Sequence, residues 1–260
     1  MHLSCLCPTY GRPSLVATAA KLFLNQRLRP VDTADLIVLD DADQIAPQAI
    51  TSRDGTRTVY VSNLPRWTRL QLKYPAMQEI ADELHYPRPD VYVIWDDDDL
   101  YLPHHLFAIA QSLHGSHCRW AHPSAVCSTY TDQPDLPLEQ RIHVERSTGR
   151  FHGAAAVSPF VLDRSGGWCT DDAADYDQTH LARWHAHGPR SDYTRFAPIS
   201  YVYRWGDTQR HHVSGAIQEN RYRQPPIQES GQVDQLIPRL DPAAETILQA
   251  LRVDTENFAD

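Results

Sequence analysis

Short apolar runs recur through the N-terminal half of the chain, each closed by a polar or acidic cluster. Leu3-Ser4-Cys5-Leu6-Cys7 leads into Pro8 and reads as a buried strand. Leu36-Ile37-Val38-Leu39 reads as a second, stopped by Asp40 and Asp41, and residues 58–62 as a third, alternating through Val59 and Val61. Val91-Tyr92-Val93-Ile94-Trp95 is a fourth, ended by Asp96-Asp97-Asp98-Asp99. Between these runs the period changes. Leu15, Ala19, Leu22 and Phe23 fall at helical spacing after Pro13, a residue tolerated in a first turn. Residues 70–84 read as a helix despite Pro75, and residues 102–113 as the next, with Pro103 in its first turn.

Strands alternating with helices in this order predict an α/β domain with a Rossmann-like, mostly parallel sheet and helices on both faces. Ligands of such sheets bind beyond the carboxyl ends of the strands. Thr9-Tyr10-Gly11-Arg12, Asp40-Asp41 and Asp96 to Asp99 all fall there, so clusters far apart in sequence are expected to meet at one edge. Residues 118–147 read as short strands and loops, 171–187 as a helix ended by Gly188-Pro189, and 199–205 as another strand. Beyond Ser214 the chain is rich in Gln, Arg and Pro, with one last helix expected within residues 236–253. The expected organisation is one α/β domain over residues 1–215 and a partly mobile C-terminal extension over residues 216–260.

Composition narrows the picture. A chain of 260 residues with 42 % hydrophobic content suits a folded globular domain. No stretch approaches the roughly 20 apolar residues of a membrane span, and the opening lacks the basic and apolar regions of a signal peptide. A cytoplasmic protein is expected, or one working in the cytoplasm of a host cell. The net charge of −9 argues against bulk nucleic-acid affinity. Arg204, Arg210, Arg221 and Arg223 nevertheless gather with Trp205, His211, His212 and Tyr222, either as a local anion-binding surface or as a solvated arginine-rich loop. The five cysteines are scattered and form no Cys-x2-Cys pair, which favours reduced core thiols over a zinc site.

Four consecutive aspartates repel one another unless something positive sits among them. A hard divalent cation with oxygen ligands, Mg²⁺ or Mn²⁺, meets that need and would hold a ligand's phosphates. The competing explanation is a solvated acidic turn that caps the helix beginning near Leu102.

On these motifs the chain resembles the family 2 glycosyltransferases of the GT-A fold, over residues 3 to about 215, and within them a phage and bacterial branch. Cys7-Pro8-Thr9-Tyr10-Gly11-Arg12-Pro13 resembles the family's opening strand and nucleotide loop, which implies donor contacts from Pro8, Thr9, Tyr10 and Arg12. Val38-Leu39-Asp40-Asp41-Ala42 resembles the second strand, whose acidic residue, here Asp41, contacts the base or ribose. Trp95-Asp96-Asp97-Asp98-Asp99-Leu100-Tyr101-Leu102-Pro103 resembles the metal-binding stretch: Asp96 faces the nucleotide, Asp98 is the metal ligand, and Asp97 and Asp99 assist. Asn63-Leu64-Pro65 and Leu70-Gln71-Leu72-Lys73 resemble a segment that reads Leu-Gly-x-Lys-Arg-Asn in that branch, with Tyr74-Pro75 replacing Arg-Asn. Lys73 is then either a nucleotide contact or a surface lysine. A later helix start, Asp171-Asp172-Ala173-Ala174-Asp175-Tyr176-Asp177-Gln178, resembles the stretch carrying the general base. Asp177 shares a helical face with Leu181 and Trp184 and is preferred, with Asp175 second. Tyr203-Arg204-Trp205-Gly206 and His212-Val213-Ser214-Gly215 resemble the end of the catalytic core, implying a metal-ligating His212, in preference to His211, and a diphosphate contact from Arg204 or Arg210.

The resemblance implies an inverting, metal-dependent transferase moving a sugar, a hexose from a UDP-sugar first, to a hydroxyl acceptor. A hydroxymethylated base in phage DNA, a cell-surface glycan and a small molecule are all admissible acceptors. Two rivals stand beside it. A nucleotidyltransferase would carry a glycine-rich loop with a lysine, whereas Pro8 to Pro13 has one glycine and no lysine. A non-catalytic nucleotide-sugar binder would lack the base.

Overall fold

Strand β1 (His2–Thr9) leads into α1 (Pro13–Leu24), β2 (Thr33–Asp40), β3 (Gln48–Thr51), β4 (Arg57–Asn63), α2 (Leu70–Leu84) and β5 (Val91–Ile94). Then come β6 (Leu100–Tyr101), α3 (His105–Leu113), β7 (Trp120–Ala121), β8 (Ala125–Tyr130), β9 (Ile142–Arg146), β10 (Ala156–Val157), α4 (Pro159–Arg164), α5 (Tyr176–His187), β11 (Arg190–Ser191) and β12 (Tyr201–Trp205). This computed structural model describes residues 1–9, 13–43, 45–65, 70–130, 142–147, 149–170 and 176–205. The expected C-terminal extension over 216–260 lies outside the described residues.

The large sheet has the order β11-β7-β10-β5-β1-β2-β4-β3. Its centre, β5-β1-β2-β4, is parallel, while β3 and β10 join antiparallel. The chain builds outward from β1 through β2 to β4, then returns to place β5 on the other side of β1. That reversal makes the β1–β5 crevice the switch point of the sheet, the place where such folds take ligands.

Alternation along each strand divides the core in two. Leu3, Cys5, Cys7, Leu36, Val38, Val91 and Val93 pack on Phe23 of α1 and Ile109 of α3. Leu6, Ile37, Leu39, Tyr92 and Ile94 point the other way, onto Met77 of α2, Leu162 of α4 and Trp184 of α5. Both faces of the strands are buried, which is why they read as unbroken apolar runs. Cys5, Cys7, Cys127 and Cys169 are buried free thiols and Cys118 is a partly buried one, as the scattered spacing predicts.

A second sheet, β6-β12-β8-β9, stands beside the first, and it corrects the expected start of α3. Leu100 and Tyr101 pair antiparallel with Val202 and Tyr201, and the Leu102 N–H donates to the Ser200 carbonyl at 2.9 Å. These residues are therefore extended, and the helix begins at His105 with Pro103 ahead of it. Gln26, fully buried, fastens the junction. Its amide donates to the Tyr101 and Leu102 carbonyls at 3.2 and 3.0 Å, and its oxygen accepts the Leu106 N–H at 3.1 Å. Among the described residues no helix is long and apolar enough to cross a membrane.

Candidate active site

The end of β1 is tied to its neighbours by short polar contacts. The Thr9 hydroxyl donates to Asp97 Oδ2 at 2.6 Å across the switch-point crevice. Lys73, reaching from α2, donates from Nζ to the Thr9 carbonyl at 2.7 Å and to Asp41 Oδ1 at 2.6 Å. Only 4 % of Lys73 is exposed, which rules out the surface-lysine alternative. Asp40 turns the chain just after β2. Its carboxylate accepts the N–H groups of Ala42 at 2.9 Å and Ile45 at 3.1 Å, and this turn presents Asp41 to the lysine. Thus the carboxyl ends of β1, β2 and β5 meet, as the polar clusters predict.

Three of the four consecutive aspartates are buried, and Asp96 is partly so. Asp97, Asp98 and Asp99 are 1 %, 6 % and 2 % exposed, which excludes a solvated turn. Nor does the run cap α3, whose N-cap residue is His104 with no side-chain capping bond. The Asp96 N–H donates to the Tyr101 hydroxyl at 2.7 Å, and that hydroxyl donates to the Gly153 carbonyl at 3.1 Å. The Tyr201 hydroxyl donates to Asp99 Oδ2. Gly153 lies in a 3-10 turn, His152–Ala154, pressed against this network. A Cβ there would sit 2.4 Å from Asp96 Oδ2 and 2.9 Å from the Tyr201 hydroxyl. The close approach requires glycine for space rather than for backbone freedom.

Helix α5 brings Asp177 toward the same place. Leu181 and Trp184 are buried, in line with the helical spacing, and Asp177 is half-buried in the first turn, its Oδ1 accepting the Gln178 N–H at 2.8 Å. Burial pushes the Tyr203 hydroxyl well up, and the charges of Asp99, Asp98, Asp96 and Asp177 push it further. Tyr176 is raised by burial and then by Asp96 and Asp177, with Asp98 adding to them. Tyr176 and Tyr203 thus lie within electrostatic reach of both Asp177 and the aspartate run.

Aromatic packing holds α5 in place. Tyr74, which stands at the departure from the family segment, stacks on Trp168 with ring centroids 5.1 Å apart. His180 stacks on Trp184 at 5.7 Å and on His152 at 5.1 Å. The Cys169 N–H donates to His180 Nε2, so His180 carries its proton on Nδ1 and donates it to His152 Nε2 at 3.2 Å. Burial lowers both histidines, His180 to about 4, so the pair is neutral near pH 7 and offsets none of the carboxylate charge.

No protein-family model matches the chain, and no curated protein sequence does. Solved structures do match. The structure of S. aureus TarS 1-349 in complex with UDP-GlcNAc has a TM-score of 0.58 at 13 % identity, covering 80 % of this chain and 59 % of that one. The UDP complex gives 0.57 at 13 %, covering 79 % and 61 %, and TarS 1-349 itself gives 0.57 at 12 %, covering 78 % and 60 %. The fold is GT-A. This chain spans about three fifths of the length of the TarS structures it resembles, and the likeness is one of fold.

The GT-A crevice brings together Thr9, Asp41, Lys73 and Asp97, with Pro8, Asp96 and Asp98 beside them in the chain, and Tyr176 lies within electrostatic reach of both Asp177 and the aspartates. Tyr10, Arg12, Asp175, Arg210, His211 and His212 lie outside the described residues. Arg204 is carried on β12 beside β8, with only its backbone described. Tyr101, Tyr201 and Gly153 went unnoticed in the sequence. Tyr101 closely follows the aspartates on an apolar segment, a faint signal for a buried hydroxyl partner. Nothing near Gly153 announces its contact with Asp96.

Proposed function

We propose that this chain is a glycosyltransferase that moves a sugar from a nucleotide-sugar to a hydroxyl acceptor, using the β1–β5 crevice as its donor site. The observation that carries this reading is the mostly buried aspartate run joined to Thr9, Lys73 and Asp41 at the switch point of a GT-A sheet. The TarS structures, complexes with UDP-GlcNAc and UDP among them, support a uridine nucleotide and a hexose-type sugar as the first donor to try.

Within this reading Pro8, Thr9, Tyr10 and Arg12 form the nucleotide loop, and Asp41 and Lys73 hold the nucleoside end. Asp96 and Asp97 face the donor. Asp98 is the principal ligand for Mn²⁺ or Mg²⁺, with His212 as a further ligand and Arg204 against the diphosphate. The donor set fits such an ion, because buried carboxylate oxygens are what a hard dication requires. When bound, the ion supplies charge neutralisation for the leaving nucleoside diphosphate. Asp177, with Asp175 as the alternative, accepts the proton of the acceptor hydroxyl, whose oxygen attacks the anomeric carbon opposite the leaving group and inverts it. Residues 1–215 make up the catalytic domain.

The acceptor is assigned as a hydroxyl. A hydroxymethylated base in DNA is the version suggested by the arginine and aromatic cluster around residues 203–223, and salt-sensitive binding to modified DNA tests it.

The test is donor hydrolysis. Purified protein is given a panel of nucleotide-sugars with Mn²⁺, with Mg²⁺ or with EDTA, and free nucleotide is read out. The expected result is metal-dependent release from one donor, abolished in Asp98→Asn. Absence of both release and calorimetric donor binding across the panel refutes the proposal.

A further inference from the structure

At the opposite end of the same strands lies a group of side chains that the donor site does not use. His2 opens β1, Asp35 lies near the start of β2, and His85 follows the last residue of α2. With a rise of about 3.3 Å per residue, this end of β1 is about 23 Å from Thr9. Asp35 Oδ2 stands 3.2 Å from His2 Nε2 and in direct contact with His85 Nε2, and the three ligand atoms lie within 4.8 Å of one another. The two imidazoles are 3.9 Å apart at their centroids, so both present the same nitrogen to one carboxylate.

Three features distinguish this group from an ordinary ion pair. First, Asp35 is 1 % exposed, and although the Ser4 hydroxyl beside it helps to hold its carboxyl in the charged form, among the described residues its Oδ1 makes no hydrogen bond of good geometry. A buried carboxylate oxygen left without a well-formed bond is rare and calls for a further partner. Second, His2 Nδ1 lies 2.8 Å from Thr33 Oγ1, which orients the ring so that Nε2 faces Asp35, the outer contact by which proteins aim a metal-binding histidine. The His2 N–H is itself anchored on Asp90 Oδ2 at 2.8 Å. Third, metal–ligand bonds of about 2.0–2.1 Å give tetrahedral edges of about 3.3 Å. The His2 to Asp35 separation already matches such an edge, and the shorter His85 contact needs only to open toward it.

We propose that His2, Asp35 and His85 bind a transition-metal dication of the Zn²⁺ class, which clips the starts of β1 and β2 to the end of α2. Two imidazoles and one carboxylate suit Zn²⁺ better than the hard ions expected at Asp98, because nitrogen donors favour borderline metals over Mg²⁺ or Mn²⁺. Three protein ligands leave the fourth position to solvent, which reaches the cluster past the partly exposed histidines.

The experiment is a calorimetric Zn²⁺ titration of the full chain, stripped with EDTA and then saturated with Mn²⁺ to occupy any hard-ligand site. Wild type and D98N are expected to bind one Zn²⁺ per chain alike, whereas H85Q and H2Q bind at least tenfold more weakly. Both histidines are partly exposed, so the variants should fold, and their melting in EDTA checks that they do. Zn²⁺ should raise the melting temperature of wild type and leave that of H85Q unchanged. No Zn²⁺ binding by wild type, equal binding by both histidine variants, or an unmoved wild-type melting temperature overturns the proposal.

Discussion

Replacing Lys73 by Met tests whether the lysine organises the donor crevice. The side chains of Lys73 and Asp41 are 5 % and 2 % exposed, with Nζ 2.6 Å from the carboxylate. Methionine fills a similar volume but leaves Asp41 buried without its cation. Breaking one side of a buried pair costs about 3–5 kcal/mol, mostly because the remaining charge is uncompensated. For a chain of this size that corresponds to a fall in melting temperature of roughly 6–20 °C. Neutralising the partner as well should recover part of the loss. The Lys73→Met/Asp41→Asn double variant is therefore expected to be more stable than the sum of the single effects by about 2 kcal/mol. Urea denaturation of the four proteins measures this directly. Lys73 also holds the Thr9 carbonyl, whose residue bonds Asp97, so donor turnover should fall at least tenfold in Lys73→Met as the crevice loosens. A cost below about 1 kcal/mol, or strict additivity in the cycle, would refute a buried, coupled pair.

Further outcomes follow from the same geometry. Gly153→Ala places a methyl 2.4 Å from Asp96 Oδ2. It should cost about 1–3 kcal/mol by overpacking and up to about 100-fold in turnover, and unchanged kinetics would show that Asp96 is not held there for catalysis. Asp177→Asn should reduce sugar transfer by about 10²–10⁴-fold while calorimetric donor affinity is retained, and full transfer activity would remove Asp177 as the base. Burial lowers the imidazole of His105 to about 3 and that of His122 to about 4. Unfolding lets each take up a proton below about pH 6.5. Stability is therefore full near neutrality and falls as pH drops from about 6.5 toward 4, by about 1.4 kcal/mol per histidine per pH unit. Urea midpoints at pH 7.5 and pH 5 should differ accordingly, and equal midpoints would mean that these rings are protonated in the folded state.

What was legible in the sequence was the part dictated by burial. Strands covered on both faces must be apolar throughout, so β1, β2 and β5 announce themselves, while the half-covered β4 shows by alternation, and polar residues directly after the buried strands mark the ligand edge. Helix α2 kept its expected bounds despite Pro75, since proline there removes only one backbone bond while Tyr74, Met77 and Ala81 remain buried. The strands within 118–147 and 199–205 were expected, but their assembly into the small sheet was hidden because β6 is two residues long and is defined by pairing with β12, about a hundred residues later. Contacts that depend on tertiary closeness left no local trace. Lys73 stood out only through the resemblance of its segment and not through its bond to Asp41, Gly153 looked like any loop glycine, and His2, Asp35 and His85 share no motif spacing.

The two-residue strand β6 is also a seam. Directly after the aspartate run the chain leaves the large sheet, joins the small one, and places the Tyr201 hydroxyl on Asp99 and Tyr203 within reach of the same charges. One wall of the crevice thus comes from the central parallel strands, and the facing wall from a sheet held to them chiefly by β6, Gln26 and the tyrosines. Lineages descending from such a chain can reshape the second wall, through β8, β9 and β12, without disturbing the turn formed by Asp40 or the lysine beneath it. Divergence in what the crevice accepts is then mechanically separable from preservation of how it is built.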